Sequence, residues 1–408
     1  MPLHHKRDDC RLCESPALQR VLQLTPTPPA NAMVSAADRA LPQPVYPLDV
    51  YRCDSCGHLQ LLDIVDPKVL FSHYVYVSST SPVMVRYLQE QCAAVIERAR
   101  LEPGDLVVEI GSNDGTLLRF FKAAGMRVLG VDPAANVVPD KSEIETLTDF
   151  FSADLGRQIR ERFGPARAIC AYNVCAHIDD LRGVVDGVRT LLAPDGQFVF
   201  EVGYLLDVYL KTLFDTVYHE HVDFHHVEPL RDFFARCRLK LLHTERSEIQ
   251  GGALVGYVGS ADRSEEASVA AMIADERAAG LHRADTFLNW SDRIRQRSEE
   301  LTALLSGLKA AGKSIAAYGA PAKATTLMYH FGLDGSVLDY IVDDNPIKQG
   351  LFTPGLHLPV LPVETLRERE PDYVVILAWN FAESIVAKHR GYTPHGRFIL
   401  PLPDLAIL

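Results

Sequence analysis

Apolar residues in this chain come in short runs that alternate with amphipathic stretches. Val107, Val108 and Ile110 form a β-branched run suited to a buried parallel strand. Similar runs recur at 127–131, 168–172 and 196–202, with a further strand read at 145–147. Helical spacing fills the gaps: Leu117, Leu118, Phe120 and Phe121 follow the first run, and 82–100 reads as a helix before it. This alternation predicts an α/β, doubly wound central domain. Positions 239–259 then hold two strands around the permissive turn Gln250-Gly251-Gly252. Positions 265–308 read as long helices with Glu and Arg facing solvent. Strand–loop units return at 314–318, 340–342 and 373–377, which predicts a second, Rossmann-like lobe. The first 70 residues lack this pattern, and Thr25-Pro26-Thr27-Pro28-Pro29 excludes helix or central strand there. The expected division is therefore 1–70, 71–240 and 241–408.

The length of 408 residues suits two or three domains. A hydrophobic share of 47% and a charged share of 23% are ordinary for a globular enzyme. No apolar run approaches the roughly 20 residues of a membrane span, and the N-terminus lacks a signal-peptide core. A cytoplasmic location without membrane association is expected. The formal net charge of -12 argues against nucleic-acid partners. An anionic ligand would need a local cluster of Lys, Arg and backbone N–H groups.

Eight cysteines are present, four of them in the knuckles Cys10-Arg-Leu-Cys13 and Cys53-Asp-Ser-Cys56. Two such pairs complete a tetrahedral thiolate site, and structural zinc is the expected ion. Iron or a redox pair is the alternative. A closed four-thiolate site has no open position for catalysis, but it compensates for a thin core. Cys92, Cys170, Cys175 and Cys237 sit among apolar neighbours and read as buried thiols.

The first strand runs into Glu109-Ile110-Gly111-Ser112-Asn113-Asp114-Gly115. Asn113 stands where a phosphate-binding G-x-G-x-x-G has its second glycine. Carboxylates at Glu109 and Asp114 would repel a pyrophosphate and suit a cationic, phosphate-free nucleoside. Asp132-Pro133 ends the second strand, where a carboxylate can accept from a ribose diol. Asp149 and Phe150 follow the third strand and could hold an adenine, although Phe150 and Phe151 also fit a core. Asn173 and His177 lie on the fourth loop of the same sheet edge. A strand–turn–helix without ligand is the plain alternative for this segment.

The run from Phe214 through Tyr218-His219-Glu220-His221 to His226 concentrates His, carboxylate and Tyr groups. Its H-E-H lacks the H-E-x-x-H spacing of a zinc helix, so a general base with partners is the stronger reading. A solvated polar loop is the alternative. The hydroxyl-rich segment 74–81, with Tyr76 and Ser79, is a linker or a lid offering donors. Lys323, at the start of a helix after Gly319-Ala320-Pro321-Ala322, marks an anion site.

Taken together, the paired knuckles, S-N-D-G-T-L-L, N-V-x-A-H-I-x-D-L, F-D-T-V-Y-H-E-H, Y-G-A-P-A-K, D-D-N-P-x-K-Q-G and I-L-A-W-N-F resemble the sugar C-methyltransferases in order and over nearly the whole chain. The loop E-I-G-S-N-D-G resembles the first motif of S-adenosylmethionine (SAM) methyltransferases. The resemblance implies a zinc module, a central SAM domain and a C-terminal lobe that helps hold a nucleotide. It implies methylation at carbon 3 of a thymidine-diphosphate 4-keto-6-deoxyhexose by a monomer. It assigns His221 as base, Glu220 as its orienting partner, Tyr218 as a donor near the keto oxygen and His219 as a sharer of that role. Glu109, Gly111, Ser112, Asn113, Gly115, Asp132, Pro133, Asp149, Phe150, Asn173 and His177 fall to the cofactor. Tyr76, Ser79, Lys323 and Asn380 fall to the nucleotide sugar, and Cys10, Cys13, Cys53 and Cys56 to zinc. Two departures, Val222 to His226 after the Y-H-E-H run and Ala324 where glycine is common, bear on the sugar's substituents and the base. An O- or N-methyltransferase needs no enolate stabiliser, and methyl on oxygen or nitrogen would reveal it. A nucleotide-sugar-binding protein without activity would fail to bind SAM.

Overall fold

The computed structural model describes residues 3–408 except 73, 75, 140–142 and 390–395. Val75, part of the expected linker or lid, lies outside the described residues. The N-terminal module is built on an antiparallel sheet ordered Asp223–Phe224, Leu59–Leu61, Tyr46–Cys53, Leu18–Thr27. Pro26 sits in the edge strand, where a missing N–H interrupts no interior ladder. The opposite edge strand is contributed by the central lobe, with Asp223 opposite Gln60 and Phe224 opposite Leu59.

Helix Pro82–Ala99 leads into the central lobe. Ser81 caps it by accepting from Met84 N–H, proline occupies its first turn, and Arg100 ends it in a left-handed conformation. Met84, Leu88, Cys92, Val95 and Ala99 recur at helical spacing and bury against Leu117, Leu118 and Phe121. Leu88→Ala would empty part of this seam, at a cost of about 2–5 kcal/mol.

The central sheet has seven strands in the order Leu239–Ser247, Ala253–Ser260, Leu192–Gly203, Ala166–Tyr172, Leu106–Ile110, Arg127–Val131, Thr146–Leu147. The five from Leu106 to Gly203 are parallel, and Ala253–Ser260 runs antiparallel beside the fifth. The hairpin after residue 240 thus completes this sheet, and the expected division at 240 cuts through it. Strand pairing decides here: Phe198 to Gly203 need the 253–258 edge to satisfy their backbone groups.

Helices Ala267–Ala278 and Ala284–Ala310 lead to the C-terminal lobe. Its sheet is ordered Val360–Leu361, Tyr340–Val342, Ile315–Tyr318, Tyr373–Ile376, Arg397–Leu400, Ala406–Ile407. All neighbours are parallel except the last pair. Among the described residues no helix is long and apolar enough to cross a membrane.

Candidate active site

A cavity of about 980 Å³ opens at the carboxyl ends of the central strands. Gly111 and Gly115 turn the first loop with φ of 70° and 74°. A Cβ on Gly111 would lie 2.4 Å from Val174 Cγ2, so the first and fourth loops meet only through glycine. Asn113 donates its N–H to Asp132 Oδ2 at 2.8 Å, and Ala134 N–H donates to Oδ1 at 2.8 Å. Each oxygen keeps a lone pair, and Asp132 and Pro133 line the cavity. Glu109 lines it too, and its Oε2 is buried without a hydrogen-bond partner among the described residues. Burial, reinforced by Asp132 and Asp114, raises the Glu109 pKa well above the carboxylate range. An unpartnered carboxyl in that place suits a cationic ligand. Asp149, Phe150 and Asn173 complete this side, and Asn173 is held by Glu201 Oε1 at 2.8 Å. Ser112 reaches the wall, but its hydroxyl lies over Gly130, where a Cβ would come within 2.5 Å.

Asn113 also fastens the 76–79 segment. Its Oδ1 accepts from Ser78 N–H at 3.0 Å and its Nδ2 donates to Tyr76 O at 2.9 Å. Asp114 Oδ2 accepts from Ser79 N–H at 3.2 Å. Tyr76 and Ser78 line the cavity, whereas Ser79 is exposed and off its wall.

A column of rings also lines the cavity. Phe71 stacks on His177 at 5.3 Å, His177 on His221 at 5.0 Å, and His221 meets Tyr218 at 4.2 Å. His177, expected on the cofactor, therefore also backs the histidine expected as base. His221 Nδ1 lies 2.8 Å from the Thr216 carbonyl, which can only accept, so Nδ1 carries the proton and Nε2 the lone pair. The Tyr218 hydroxyl lies 3.2 Å from that Nε2. Burial lowers the His221 pKa to about 4, against the backbone hydrogen bond, so the ring is neutral at pH 7. Burial raises the Tyr218 pKa well above its usual value, which keeps its proton in place.

Two expected partners differ. Glu220 does not orient His221: Asn31 Nδ2 donates to its Oε1 at 2.7 Å, Tyr74 also bonds it, and the orienting acceptor is Thr216 O. The adjacent side chains diverge, and Glu220 takes its donors from Asn31 and Tyr74 on the cavity lining. Its pKa is pushed up to about 7 by burial. His219 is buried against the N-terminal module, with Nε2 3.3 Å from Tyr46 O and its ring edge-on to Tyr46. It is off the cavity wall, so it has no place beside a keto oxygen.

Lys323 is likewise committed elsewhere. Its Nζ lies 3.8 Å from Asp215 and 4.1 Å over the Trp379 ring, and it does not reach the cavity. Asn380 is exposed and also off the wall. The C-terminal lobe instead presents Asn345 and Lys348, the latter with Nζ 2.7 Å from Ala320 O. Lys348 stands in D-D-N-P-x-K-Q-G, whose only cation it is, and that is the signal which could have found it. Asn31, Tyr74 and Thr216 O carried no such signal, because their roles arise from contacts across the fold.

In the N-terminal module Cys10, Cys13, Cys53 and Cys56 bring their sulfurs within 4.8 Å of one another. Cys10 Sγ and Cys56 Sγ are 3.6 Å apart, and Cys13 Sγ and Cys53 Sγ 3.5 Å. Sulfurs around tetrahedral zinc stand about 3.8 Å apart for bonds of roughly 2.3 Å, so the set fits the ion. The module also touches the site loop directly, since Leu61 N–H donates to Val222 O at 2.8 Å.

Three family descriptions match in series: a zinc binding domain over 10–71, a methyltransferase domain over 84–244, and a C-methyltransferase C-terminal domain over 248–403. C-methyltransferase NovU of Streptomyces niveus is 35% identical over 406 residues, covering 98% of this chain and 97% of its own. The chain belongs to the C-methyltransferases. Solved structures similar to this C-methyltransferase include magnesium protoporphyrin IX methyltransferase of Synechocystis PCC 6803 with bound SAM. It shares 14% identity over 43% of this chain and 79% of its own, at a TM-score of 0.33. Cyclopropane synthase MmaA2 of Mycobacterium tuberculosis shares 13% over 41% and 82%, at 0.33. The enzyme is a SAM-dependent C-methyltransferase with a zinc-binding N-terminal domain.

Proposed function

We propose that the enzyme methylates carbon 3 of a thymidine-diphosphate 4-keto-6-deoxysugar through an enolate, with His221 as base. The observation that carries this is the His221 tautomer: Thr216 O holds the proton on Nδ1 and leaves Nε2 as acceptor inside the cofactor cavity. Carbon is a poor nucleophile until a neighbouring ketone acidifies its C–H. His221 Nε2 takes that proton. The Tyr218 hydroxyl, 3.2 Å from Nε2, exchanges this partner for the keto oxygen and donates to it as negative charge develops. Glu220, Asn31 and Tyr74 form a hydrogen-bonded group at the same cavity and hold the sugar's hydroxyls. Bound SAM supplies the electrophilic methyl group, with Glu109 toward its cationic part and Asp132 toward its ribose. Lys348, rather than Lys323, faces the diphosphate, with Tyr76 and Asn345 beside it. We place the reaction in the cytoplasm, where the eight cysteines stay unpaired thiols or thiolates.

The test separates proton removal from methyl transfer. In heavy water without SAM, the wild-type protein should exchange the proton at the target carbon of a thymidine-diphosphate 4-ketosugar. His221→Asn should bind both ligands, yet lose exchange and methylation together. Normal exchange in that variant would exclude His221 as base.

A further inference from the structure

The His221 tautomer depends on where the Thr216 carbonyl stands, and the neighbours of Thr216 are held from the C-terminal lobe. Asp215 is fully buried, and its Oδ2 accepts from Trp379 Nε1 at 2.7 Å. Lys323 Nζ lies 3.8 Å from the same oxygen and 4.1 Å over the Trp379 ring. On the other side of Thr216, Val217 O accepts from Thr326 Oγ1 at 2.7 Å. Phe214 stacks on Phe331 with centroids 5.0 Å apart. Both residues flanking one carbonyl are thus fixed by side chains 109 to 164 positions later in the chain.

We propose that Trp379, Lys323 and Thr326 are positioning residues for the base. They act through the 214–217 turn to keep the Thr216 carbonyl on His221 Nδ1. The lobe taken as the nucleotide holder thereby also sets the protonation of the catalytic ring. This rests on the reading of His221 as base. The physical argument is short. A buried ion pair is a poor source of net stability, because desolvation offsets the attraction, but its geometry is strict. If the Thr216 carbonyl withdraws, Nδ1–H loses its acceptor, and the proton can settle on Nε2, where it blocks the lone pair. A misplacement of about 1 Å in such a support can cost on the order of 100-fold in rate.

The experiment uses Trp379→Phe, which keeps a ring under Lys323 but deletes the indole N–H, and Thr326→Val, which keeps shape but deletes the hydroxyl donor. Protein labelled with 15N-histidine reports the tautomer of each ring by two-bond proton–nitrogen correlation. The His221 signals are those missing from His221→Asn. The wild type should show the Nδ1–H form. Each variant should show a growing Nε2–H share and a fall of about tenfold or more in SAM-free proton exchange. SAM affinity and the KM for the nucleotide sugar should stay within about twofold, a split that general loosening would not produce. If either variant keeps SAM affinity while His221 stays Nδ1–H and exchange stays at the wild-type rate, the proposal is overturned. If the tautomer shifts but exchange does not fall, the positioning stands and the base reading fails. Should Trp379→Phe not fold, Thr326→Val decides alone.

Discussion

The two sheet lobes of this enzyme use one backbone device twice. In the central lobe Gly111 N–H donates to Val131 O at 2.7 Å, and in the C-terminal lobe Gly319 N–H donates to Val342 O at 2.7 Å. Asp132 accepts Asn113 and Ala134 N–H groups, and Asp343 accepts Ala320 and Asn345 N–H groups at 2.6 and 2.7 Å. The parallel strands follow the same order in both sheets: third, second, first, fourth, fifth. The crevices nevertheless differ. The central one holds about 980 Å³ and carries Glu109 and Asp132, while the C-terminal one holds about 340 Å³ and carries Lys348 and Lys388 beside Asp343 and Asp344. Backbone geometry thus builds the same kind of crevice twice, and the titratable groups placed in the two differ. Lys348 lines both crevices and joins them.

The comparison breaks most visibly at His221, the proposed base. His221→Asn should lower methyl transfer by about 100-fold or more, the usual worth of a positioned general base, measured as product mass against time. Tyr318→Phe, in the wall of the C-terminal crevice, should leave kcat nearly unchanged. A large kcat loss there would move chemistry into the wrong lobe.

The paired aspartates sharpen it next. Asp132→Ala should weaken SAM binding by about 1.5–3 kcal/mol, the range for a lost charge-assisted hydrogen bond. Asp343→Ala should leave SAM affinity unchanged and raise the nucleotide-sugar KM. Calorimetry with SAM on both variants separates the lobes. Lys348→Ala should raise that KM about tenfold with kcat held, because phosphates keep their charge during methyl transfer. A pure kcat defect would count against a diphosphate contact.

The smallest effect concerns acid stability. Burial depresses His219, His221 and His225 to a pKa of about 4. Unfolded histidines titrate near 6.5, so between pH 6.5 and 4 the unfolded chain binds more protons and stability falls with pH. Burial raises Glu201, Glu220 and Glu276 to about 7, so between 7 and 4.5 the folded chain takes up protons and gains stability on acidification. The two sets act in opposite directions on acid stability. Glu220→Gln keeps an acceptor for Asn31 but removes one opposing group, so its urea midpoint should drop more steeply on acidification.

Much of this was legible in the sequence because it is local. Apolar period marked both lobes, and C-x-x-C spacing marked four sulfurs that the fold gathers. Gly111 and Asp132 announced a strand–turn crevice. The errors are non-local. Lys323 looked like an anion site from its helix start, but Asp215 lies 108 positions earlier and no period reveals that they meet. The resemblance paired Glu220 with His221, but the fold gives Glu220 a donor in Asn31, from another module, and gives His221 the Thr216 carbonyl. The division at 240 falls inside the strand Leu239–Ser247, because a strand's sheet is set by pairing, which a hydrophobic pattern does not specify.

The thiolate cluster has a bearing on how preparations of this enzyme behave. The module it anchors supplies Asn31 to Glu220, the Tyr46 carbonyl to His219, and the strand Leu59–Leu61 to Asp223–Phe224. The loop bearing His221 therefore has one of its walls tied to a metal that takes no part in bond making. A batch purified through chelating buffers would bind SAM on an intact central lobe and still methylate poorly. On an assay sheet its metal history would be indistinguishable from an active-site lesion, until zinc is counted per chain.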